Sequence, residues 1–273
     1  MEVHDLGSWR EFRPLVETIR ESYGVWEWGG GRRGINTVMF RGHANPDWPL
    51  STTLERATSR EFTVQRYLLT ATRCLHELES FTGKSWAVST WPELEREILE
   101  EQSDSHPHLP HYDLLVYLRH HGFPSPLLDW TASPYIAAYF AYADRTETDR
   151  VAVYAYVETP EGGKGWSGYP PLIHLMGPYV STDARHFAQK AWYTITTQCE
   201  QGSDKHVFRP HSSVFELGHT KQDVLVKITM PASDRLTALK ELEDYNINRF
   251  TLFQTEDALV QTLALREFDL RDA

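Results

Sequence analysis

The stretch from His120 to Tyr142 reads HHGFPSPLLDWTASPYIAAYFAY, and it is the part of the chain that decides the fold. A helix is predicted to stop at Gly122, because glycine takes the left-handed conformation that ends helices. The two prolines that follow prevent an immediate helical restart and hold the chain extended. Ser133 before Pro134 is the capping signature of a new helix. The almost wholly apolar run after it predicts that this helix is buried.

Asp129, Trp130 and Thr131 lie between these two helices and are predicted to form a short polar elbow. The elbow and Ser133 place a carboxylate and two hydroxyls at the mouth of the buried helix, with a histidine nearby. We interpret the rest of the chain as support for this corner.

The composition is that of an ordinary globular protein, with 273 residues, 41% hydrophobic and 24% charged. No apolar run approaches the roughly 18 residues of a membrane span, and the acidic N-terminus lacks a signal-peptide pattern. We therefore expect a cytoplasmic protein without membrane contacts. The net charge of −11 disfavours strong non-specific binding to nucleic acid, although it is compatible with a local basic groove. We expect no metal and interpret the cluster of His106, His108 and His111 as a solvated loop.

The hydrophobic pattern divides the chain into an early helical part and a later part rich in strands. Helical spacing predicts helices over residues 6–23, 62–81, 90–101, 113–121, 233–245 and 256–265. Strands are predicted over residues 37–41, 150–157, 188–197, 223–229 and 249–253. This order indicates an α+β fold with an antiparallel or mixed sheet. We predict one domain over residues 1–273, with an N-terminal helical extension over about residues 1–36.

Arg41 stands at the end of the first predicted strand, immediately before Gly42. Its guanidinium can offer a rigid fork of donors to a phosphate or carboxylate, or it can form a structural ion pair with a nearby acid. Gly42 would let the backbone approach a ligand closely. Asp129 has similar alternatives, since it can fix Arg41, cap the helix near Ser133 or act in catalysis.

Several of these patterns, in this order, resemble the FRG domain, a bacterial family. They are Phe40-Arg41-Gly42, His121-Gly122-Phe123-Pro124, Leu127-Leu128-Asp129-Trp130-Thr131, Ser133-Pro134 and Ala138-Tyr139-Phe140-Ala141. Two later patches are also similar to the family, namely Arg185 with Ala188-Gln189, and Thr251-Leu252-Phe253 with Asp257. The resemblance thus extends over roughly residues 38–263, and it includes His121 in the expected binding set.

The same patterns are more distantly similar to ADP-ribosyltransferases that use an arginine, a Ser-Thr-Ser element and a glutamate. Those enzymes have an aromatic-Arg-Gly first strand and a Ser/Thr cluster that runs into a helix. The resemblance implies an ADP-ribosyltransferase-like fold with NAD as substrate. It implies that Arg41 grips the NAD diphosphate or the nicotinamide-side ribose. Thr131 and Ser133 would hydrogen-bond the ribose or hold Arg41, and Tyr139 and Phe140 would line the nicotinamide pocket.

A carboxylate is expected to stabilise the oxocarbenium-like transition state as nicotinamide leaves. Gln189 lies at about the expected distance after the Ser element, but it is neutral and is predicted to position the substrate. Asp129, Glu200 and Glu256 are the alternatives for the acid, although the first turn of a helix favours an acid at Glu256 for its dipole alone. The predicted catalytic set is Arg41, Asp129 and Gln189.

We therefore expect an NAD-dependent ADP-ribosyltransferase that modifies RNA, DNA or protein. The bacterial settings of FRG domains imply a toxin or phage-defence effector, with an antitoxin or regulatory protein as partner. The alternative is a non-catalytic module in which Arg41, Asp129 and Gln189 bind a nucleotide or a peptide end. A nuclease or other hydrolase is disfavoured, because the paired acids and metal ligands it needs are missing. The first two hypotheses predict that Arg41, Thr131, Ser133 and Gln189 meet in one cleft.

Overall fold

In the residues that the structure describes, eight strands form a mixed sheet and two further strands form a separate hairpin. This computed structural model describes residues 1–28, 32–101, 109–164, 170–200, 202, 205–218 and 222–271. Within them the strands are β1 (Glu2–Asp5), β2 (Val25–Trp28), β3 (Arg32–Ile35), β4 (Met39–His43), β5 (Leu128–Thr131), β6 (Arg150–Val157), β7 (Leu172–Leu175), β8 (Ala191–Cys199), β9 (His206–Phe208) and β10 (Val224–Pro231). The sheet order is β1-β10-β6-β4-β5-β8-β7; β9 also pairs with β8, and β2 with β3. Among these pairs only β1 and β10 run parallel.

Helices cover both faces of this sheet. They are α1 (Phe12–Tyr23), α2 (Thr53–Ala57), α3 (Val64–Thr72), α4 (Leu75–Thr82), α5 (Trp91–Glu101), α6 (Tyr112–His120), α7 (Pro134–Tyr142), α8 (Ala184–Ala188), α9 (Ser212–Phe215), α10 (Arg235–Asp244), α11 (Arg249–Phe253) and α12 (Glu256–Leu265). Short 3₁₀ turns precede α1 and α10, and a π-helical turn, Arg266–Leu270, follows α12. In the part of the chain described, no helix is long and apolar enough to cross a membrane.

Strand β4 lies at the centre of the sheet, and both of its faces are buried. Met39 and Phe40 have no exposed surface, and successive side chains of a strand point to opposite faces. Phe40 packs in the core that contains α1, α7 and α10, whereas Met39 packs in the core on the other face. Gly42 faces α7, where an added Cβ would lie only 1.9 Å from the carbonyl oxygen of Ala137. The backbone of β4 is therefore in close contact with α7.

The early helices form a third core against β8. Apolar side chains of α3, α5 and α6, among them Leu68, Leu94 and Leu115, pack with Tyr193 and Ile195 of β8. These helices hold the end of α6, and with it the chain entering β5, against the sheet.

Strands β4 and β5 share a single pair of residues, Phe40 with Thr131. Beyond this pair the backbone ladder stops, and Nη1 of Arg41 donates to the carbonyl oxygen of Asp129 at 2.8 Å. A side chain thus takes an acceptor that a sheet ladder would otherwise use, and a cleft opens between the two strands.

The predicted α+β class and the mixed sheet are confirmed. The predicted strand over residues 150–157 is β6, and the helix predicted after Ser133 is α7. Ser133 caps α7 by accepting a hydrogen bond from the backbone N–H of Ile136. Thr255 caps α12 in the same way, so this helix begins at Glu256 as predicted.

The strand predicted over residues 249–253 is wrong, because this segment is helix α11. Asn248 accepts from the backbone N–H of Thr251, and the Thr251 hydroxyl accepts from the backbone N–H of Asn248. This reciprocal cap starts a helix, and Gln254 ends it with a φ of 56°. Five residues are too few to distinguish the two-residue period of a strand from the 3.6-residue period of a helix.

Other boundaries also differ from the sequence expectation. The residues predicted as a polar elbow, Asp129 to Thr131, are instead three of the four residues of strand β5, which pairs with β8 along its whole length. The helix predicted over residues 62–81 is two helices, α3 and α4, separated at Arg73 and Cys74. The N-terminal residues 1–36 contain α1 and the β2–β3 hairpin, and β1 joins the main sheet beside β10. Strands as short as β1 and β7 carry too few residues for a clear pattern.

Candidate functional site

A cleft of about 1110 Å³ lies where β4 and β5 separate. Its walls come from β4 and the turn after it, the end of α6, β5, α7 with the loop after it, and the junction of α8 with β8. Of the residues predicted for the site, Arg41, Gly42, Asp129, Thr131, Phe140 and Gln189 line this cleft.

Arg41 lies on the floor of the cleft, with 16% of its side chain exposed. Nη1 bonds the carbonyl oxygen of Asp129 and lies 3.8 Å from its carboxylate oxygen Oδ2. Nε donates to Nε2 of His43 at 3.0 Å. Burial lowers the pKa of Arg41 to about 10, Asp129 opposes this shift, and the guanidinium of Arg119 adds to it. The side chain stays protonated at neutral pH and is held at two of its nitrogens.

The carboxylate of Asp129 is shared among arginines. Nη2 of Arg119 donates to Oδ2 of Asp129, the same oxygen that faces Arg41. Arg185 also lines the cleft, and its Nη1 donates to the carbonyl oxygen of His120 at 3.1 Å. Burial lowers the pKa of Arg185, and Asp129 opposes that shift. Asp129 therefore neutralises only part of the positive charge that three guanidiniums bring to the floor.

The charge of the whole cleft is also positive. Its described walls carry five arginines and three carboxylates, Arg41, Arg56, Arg119, Arg145, Arg185, Asp129, Asp144 and Glu147. The chain as a whole has a net charge of −11. A cationic cleft in an acidic protein concentrates anions at one place on the surface.

Two neutral histidines support the floor. His43 accepts from Arg41, so its Nε2 carries no proton, and burial followed by the charge of Arg41 lowers its pKa to about 3. Nε2 of His120 lies 2.8 Å from the hydroxyl of Tyr193. Burial, and then Arg185, lowers the pKa of His120 to about 4. Neither histidine adds charge to the site at neutral pH.

Thr131, Ser133 and Gln189 hold the corner together through their own hydrogen bonds. The Thr131 hydroxyl donates to the backbone oxygen of Gln189 at 2.7 Å and accepts from the backbone N–H of Ser133 at 3.1 Å. The amide of Gln189 donates to the carbonyl oxygen of Leu252 at 3.1 Å, which ties α11 to the cleft. Ser133 is the cap of α7 and lies outside the cleft lining.

The remaining predicted binding residues lie in different environments. Phe140 lines the cleft and contacts Phe253 edge to face, with 6.1 Å between ring centroids. Tyr139 is buried in the core around α7, away from the cleft lining. His121 has an exposed ring that packs on Tyr117, and its Nε2 lies 3.1 Å from Asp183. Gly42 lines the cleft, although its close backbone contact is with α7.

Of the three candidate catalytic acids, only one lies in the cleft. Asp129 is on the floor, whereas Glu200, after β8, and Glu256, in the first turn of α12, are exposed and do not line the cleft. Sequence reasoning missed Asp144 and Glu147, which follow α7 and reach the rim. Of the histidine cluster considered for metal, His106 and His108 lie outside the described residues.

The sequence also missed Arg119 and Trp48 as site residues. Arg119 is the second-to-last residue of α6, two positions before the family motif at His121. The sequence signal that could have identified Arg119 was its closeness to that motif. A basic residue in the last turn of a helix is otherwise expected simply because it interacts favourably with the helix dipole. Trp48 follows Pro46 in the turn after β4, and an exposed tryptophan cannot be recognised as such from its neighbours in sequence.

Residues 36–150 match the family model of the FRG domain. The match confirms, over these residues, the resemblance predicted from Phe40-Arg41-Gly42 and the stretch around Asp129. Arg185 and Gln189 lie beyond the matched residues. No curated protein and no solved structure matches the chain.

Proposed function

We propose that this protein transfers ADP-ribose from NAD to a macromolecule. The proposal is carried by the meeting of Arg41 from β4, Asp129 and Thr131 from β5, and Gln189 from the end of α8 around one cleft. Of the four residues expected to meet in one cleft, Arg41, Thr131 and Gln189 line it, although they are up to 148 positions apart in sequence. The fourth, Ser133, lies outside the lining.

The charge of the floor suits a nucleotide diphosphate. Arg41 and Arg119 face the single carboxylate of Asp129, and Arg185 is close enough to feel its charge, which leaves a surplus of two positive charges. Each guanidinium bonds the protein through only part of its fork, and arginine forks pair well with phosphate oxygens. The diphosphate of NAD, with two negative charges, would balance the floor.

In the proposed reaction the bond between nicotinamide and its ribose breaks, and the electron pair leaves with neutral nicotinamide. The acceptor atom of the target forms a new bond to the ribose carbon and gives up its proton. Positive charge develops on the ribose between these events, and a carboxylate fixed beside it lowers the barrier. Asp129 on the floor and Asp144 and Glu147 at the rim are the acids placed along the described cleft walls.

Transfer to RNA, DNA or protein in a bacterial cell would damage or label essential machinery. We therefore propose a role as a toxin or defence effector, restrained by a partner protein. Gln189, held by Leu252, would position the substrate, since a neutral amide cannot offset a developing cation.

A second candidate function is a non-catalytic nucleotide-recognition module. It is favoured by one observation, that the only carboxylate on the described floor is already engaged by Arg119 and Arg41. In such a module the arginines bind the diphosphate and nothing assists departure of nicotinamide.

The test is incubation of the purified protein with NAD labelled in its adenine, in the presence of cellular RNA, DNA or protein. The transferase hypothesis predicts label in one of these fractions and an equal amount of free nicotinamide. The recognition hypothesis predicts saturable NAD binding without nicotinamide release. Absence of both binding and release contradicts both functions.

A further inference from the structure

Trp48 has an unusual position for a residue of its size. Its side chain is 54% exposed and lines the cleft at the end of the turn after β4. Tryptophan buries more apolar surface than most residues when it is covered, so leaving it open to solvent forgoes stabilisation. Among the tryptophans whose side chains the structure describes, the only other exposed one is Trp91, which lies outside the cleft.

The turn that carries Trp48 is firmly held. The backbone N–H of Trp48 donates to the carbonyl oxygen of Asn45, and the side-chain oxygen of Asn45 accepts from the backbone N–H of Asp47. The carbonyl oxygen of Pro46 accepts from Nζ of Lys227 at 2.6 Å and from the hydroxyl of Tyr154 at 3.3 Å. The indole is thus presented by a fixed backbone, which lowers the entropy lost when a ligand stacks on it.

Trp48 is connected to Arg41, on the floor of the cleft, through His43. Nε of Arg41 bonds His43, and the ring of His43 meets the indole of Trp48 edge to face with 6.2 Å between centroids. The other end of the Arg41 guanidinium faces Asp129. The two neighbours of Arg41 therefore define two directions, one toward Trp48 and one toward the carboxylate.

We propose that Trp48 is the stacking platform for the adenine ring of a bound adenine nucleotide. This inference rests on the proposed nucleotide function of the cleft. With the diphosphate on Arg41, the nicotinamide ribose must point toward the carboxylate that stabilises it, so the adenosine end points toward His43 and Trp48. Nδ2 of Asn45 bonds no other described residue and can donate to a ring nitrogen of the base.

The experiment measures affinity by calorimetry for ADP, inorganic pyrophosphate and nicotinamide mononucleotide. The variants are Trp48→Ala, Trp48→Phe and, as a matched control, Trp91→Ala. Loss of a stacked base costs on the order of tenfold or more in affinity. We expect Trp48→Ala to weaken ADP by that factor, Trp48→Phe to recover most of it, and Trp91→Ala to change nothing. Pyrophosphate and nicotinamide mononucleotide should bind all variants equally.

Three outcomes overturn the proposal. ADP affinity unaffected by Trp48→Ala shows that the base lies elsewhere. Equal loss for ADP and pyrophosphate shows that the tryptophan only supports the floor. A loss confined to nicotinamide mononucleotide assigns the indole to the other end of NAD.

The outcomes for the platform and for catalysis are separable. Tryptophan-dependent ADP binding without nicotinamide release refutes the transferase and keeps the platform. Nicotinamide release with tryptophan-independent ADP binding does the reverse. A wild-type protein that binds neither ADP nor pyrophosphate contradicts both.

Discussion

Arg41 and His43 form a unit on β4 in which the histidine sets the direction of the arginine. Since the Nε–H of Arg41 must donate, Nε2 of His43 must accept, and the imidazole has to stay neutral. Burial, and then the cost of placing one cation against another, lower the pKa of His43 to about 3. We infer that His43 positions Arg41 for the ligand.

The first prediction compares two substitutions of His43. His43→Gln keeps an acceptor near the Nε2 position, whereas His43→Leu removes it. We expect His43→Leu to lower kcat/KM for NAD by about 10- to 100-fold, because a misdirected guanidinium loses its phosphate geometry. His43→Gln should remain within a few-fold of wild type. Equal losses in both variants would show that His43 acts only through packing.

The second prediction concerns Asp129, whose carboxylate is shared by Arg119 and Arg41. Asp129→Asn leaves these two guanidiniums without their shared anion and removes the negative charge that also acts on Arg185. A fully buried pair costs roughly 3–5 kcal/mol when one partner is lost, but a third of this side chain is exposed, so we expect about 1–3 kcal/mol. Urea unfolding measures this loss, and added pyrophosphate should restore more stability to the variant than to wild type. A variant as stable as wild type, with no extra response to pyrophosphate, would contradict the shared-anion interpretation.

At the scale of elements, the contact of β4 with α7 fixes the position of Arg41. A Cβ at Gly42 would meet the backbone oxygen of Ala137 at 1.9 Å and the backbone nitrogen of Ala141 at 2.7 Å. Backbone atoms of a helix cannot move aside as a flexible side chain can. The strand and helix must therefore separate if a methyl group is added.

The third prediction is that Gly42→Ala destabilises the protein by about 2–4 kcal/mol, as expected for overpacking against backbone. Gly7→Ala is the matched control, because its Cβ would meet only the flexible carboxylate of Glu11 at 3.2 Å. Thermal unfolding of the two variants gives the comparison. A Gly42→Ala protein with a wild-type Tm would mean that β4 and α7 do not pack as closely as described.

How much the sequence could predict also depends on the element. Local signals were sufficient for α7 and for the strand bearing Arg41, because caps, prolines and apolar periodicity act over a few residues. They failed at α11, whose five residues fit either period, and at Arg119, whose partner Asp129 is recognised only once α6 and β5 are packed. Gln189 was predicted to position a substrate, but its bond to Leu252 depends on a contact over 63 positions.

At the scale of the whole molecule, buried neutral histidines make stability depend on pH. His43, His120 and His211 have pKa values lowered by burial to about 3, 4 and 3 from an ordinary 6.5. The unfolded chain therefore takes up protons before the folded one does. Their contribution is fully present above pH 6.5 and is lost as the pH falls toward 4.

The fourth prediction is that the free energy of unfolding decreases between pH 7 and pH 5. Each of the three histidines contributes up to about 1.4 kcal/mol per pH unit once it titrates in the unfolded state. Burial raises the pKa of Glu158, so this side chain takes up a proton more readily in the folded state. It therefore opposes the loss of stability on acidification, by at most one proton. Urea titrations at several pH values measure how steeply the free energy of unfolding depends on pH. His43→Gln should reduce this slope by the share of one titrating histidine. A stability that is flat or increases on acidification to pH 5 contradicts the neutral assignment.

Catalysis in the Arg41 cleft is measured by single-turnover release of nicotinamide from NAD, with the macromolecular target fractions present. Arg41→Ala is compared with wild type and with Arg13→Ala, which removes an exposed arginine paired with Glu17 on α1. We expect release by wild type and by Arg13→Ala, and a rate at least about 100-fold lower for Arg41→Ala with its fold retained. Equal rates for Arg41→Ala and wild type, or no release by wild type saturated with NAD, would show that this cleft does not catalyse transfer from NAD.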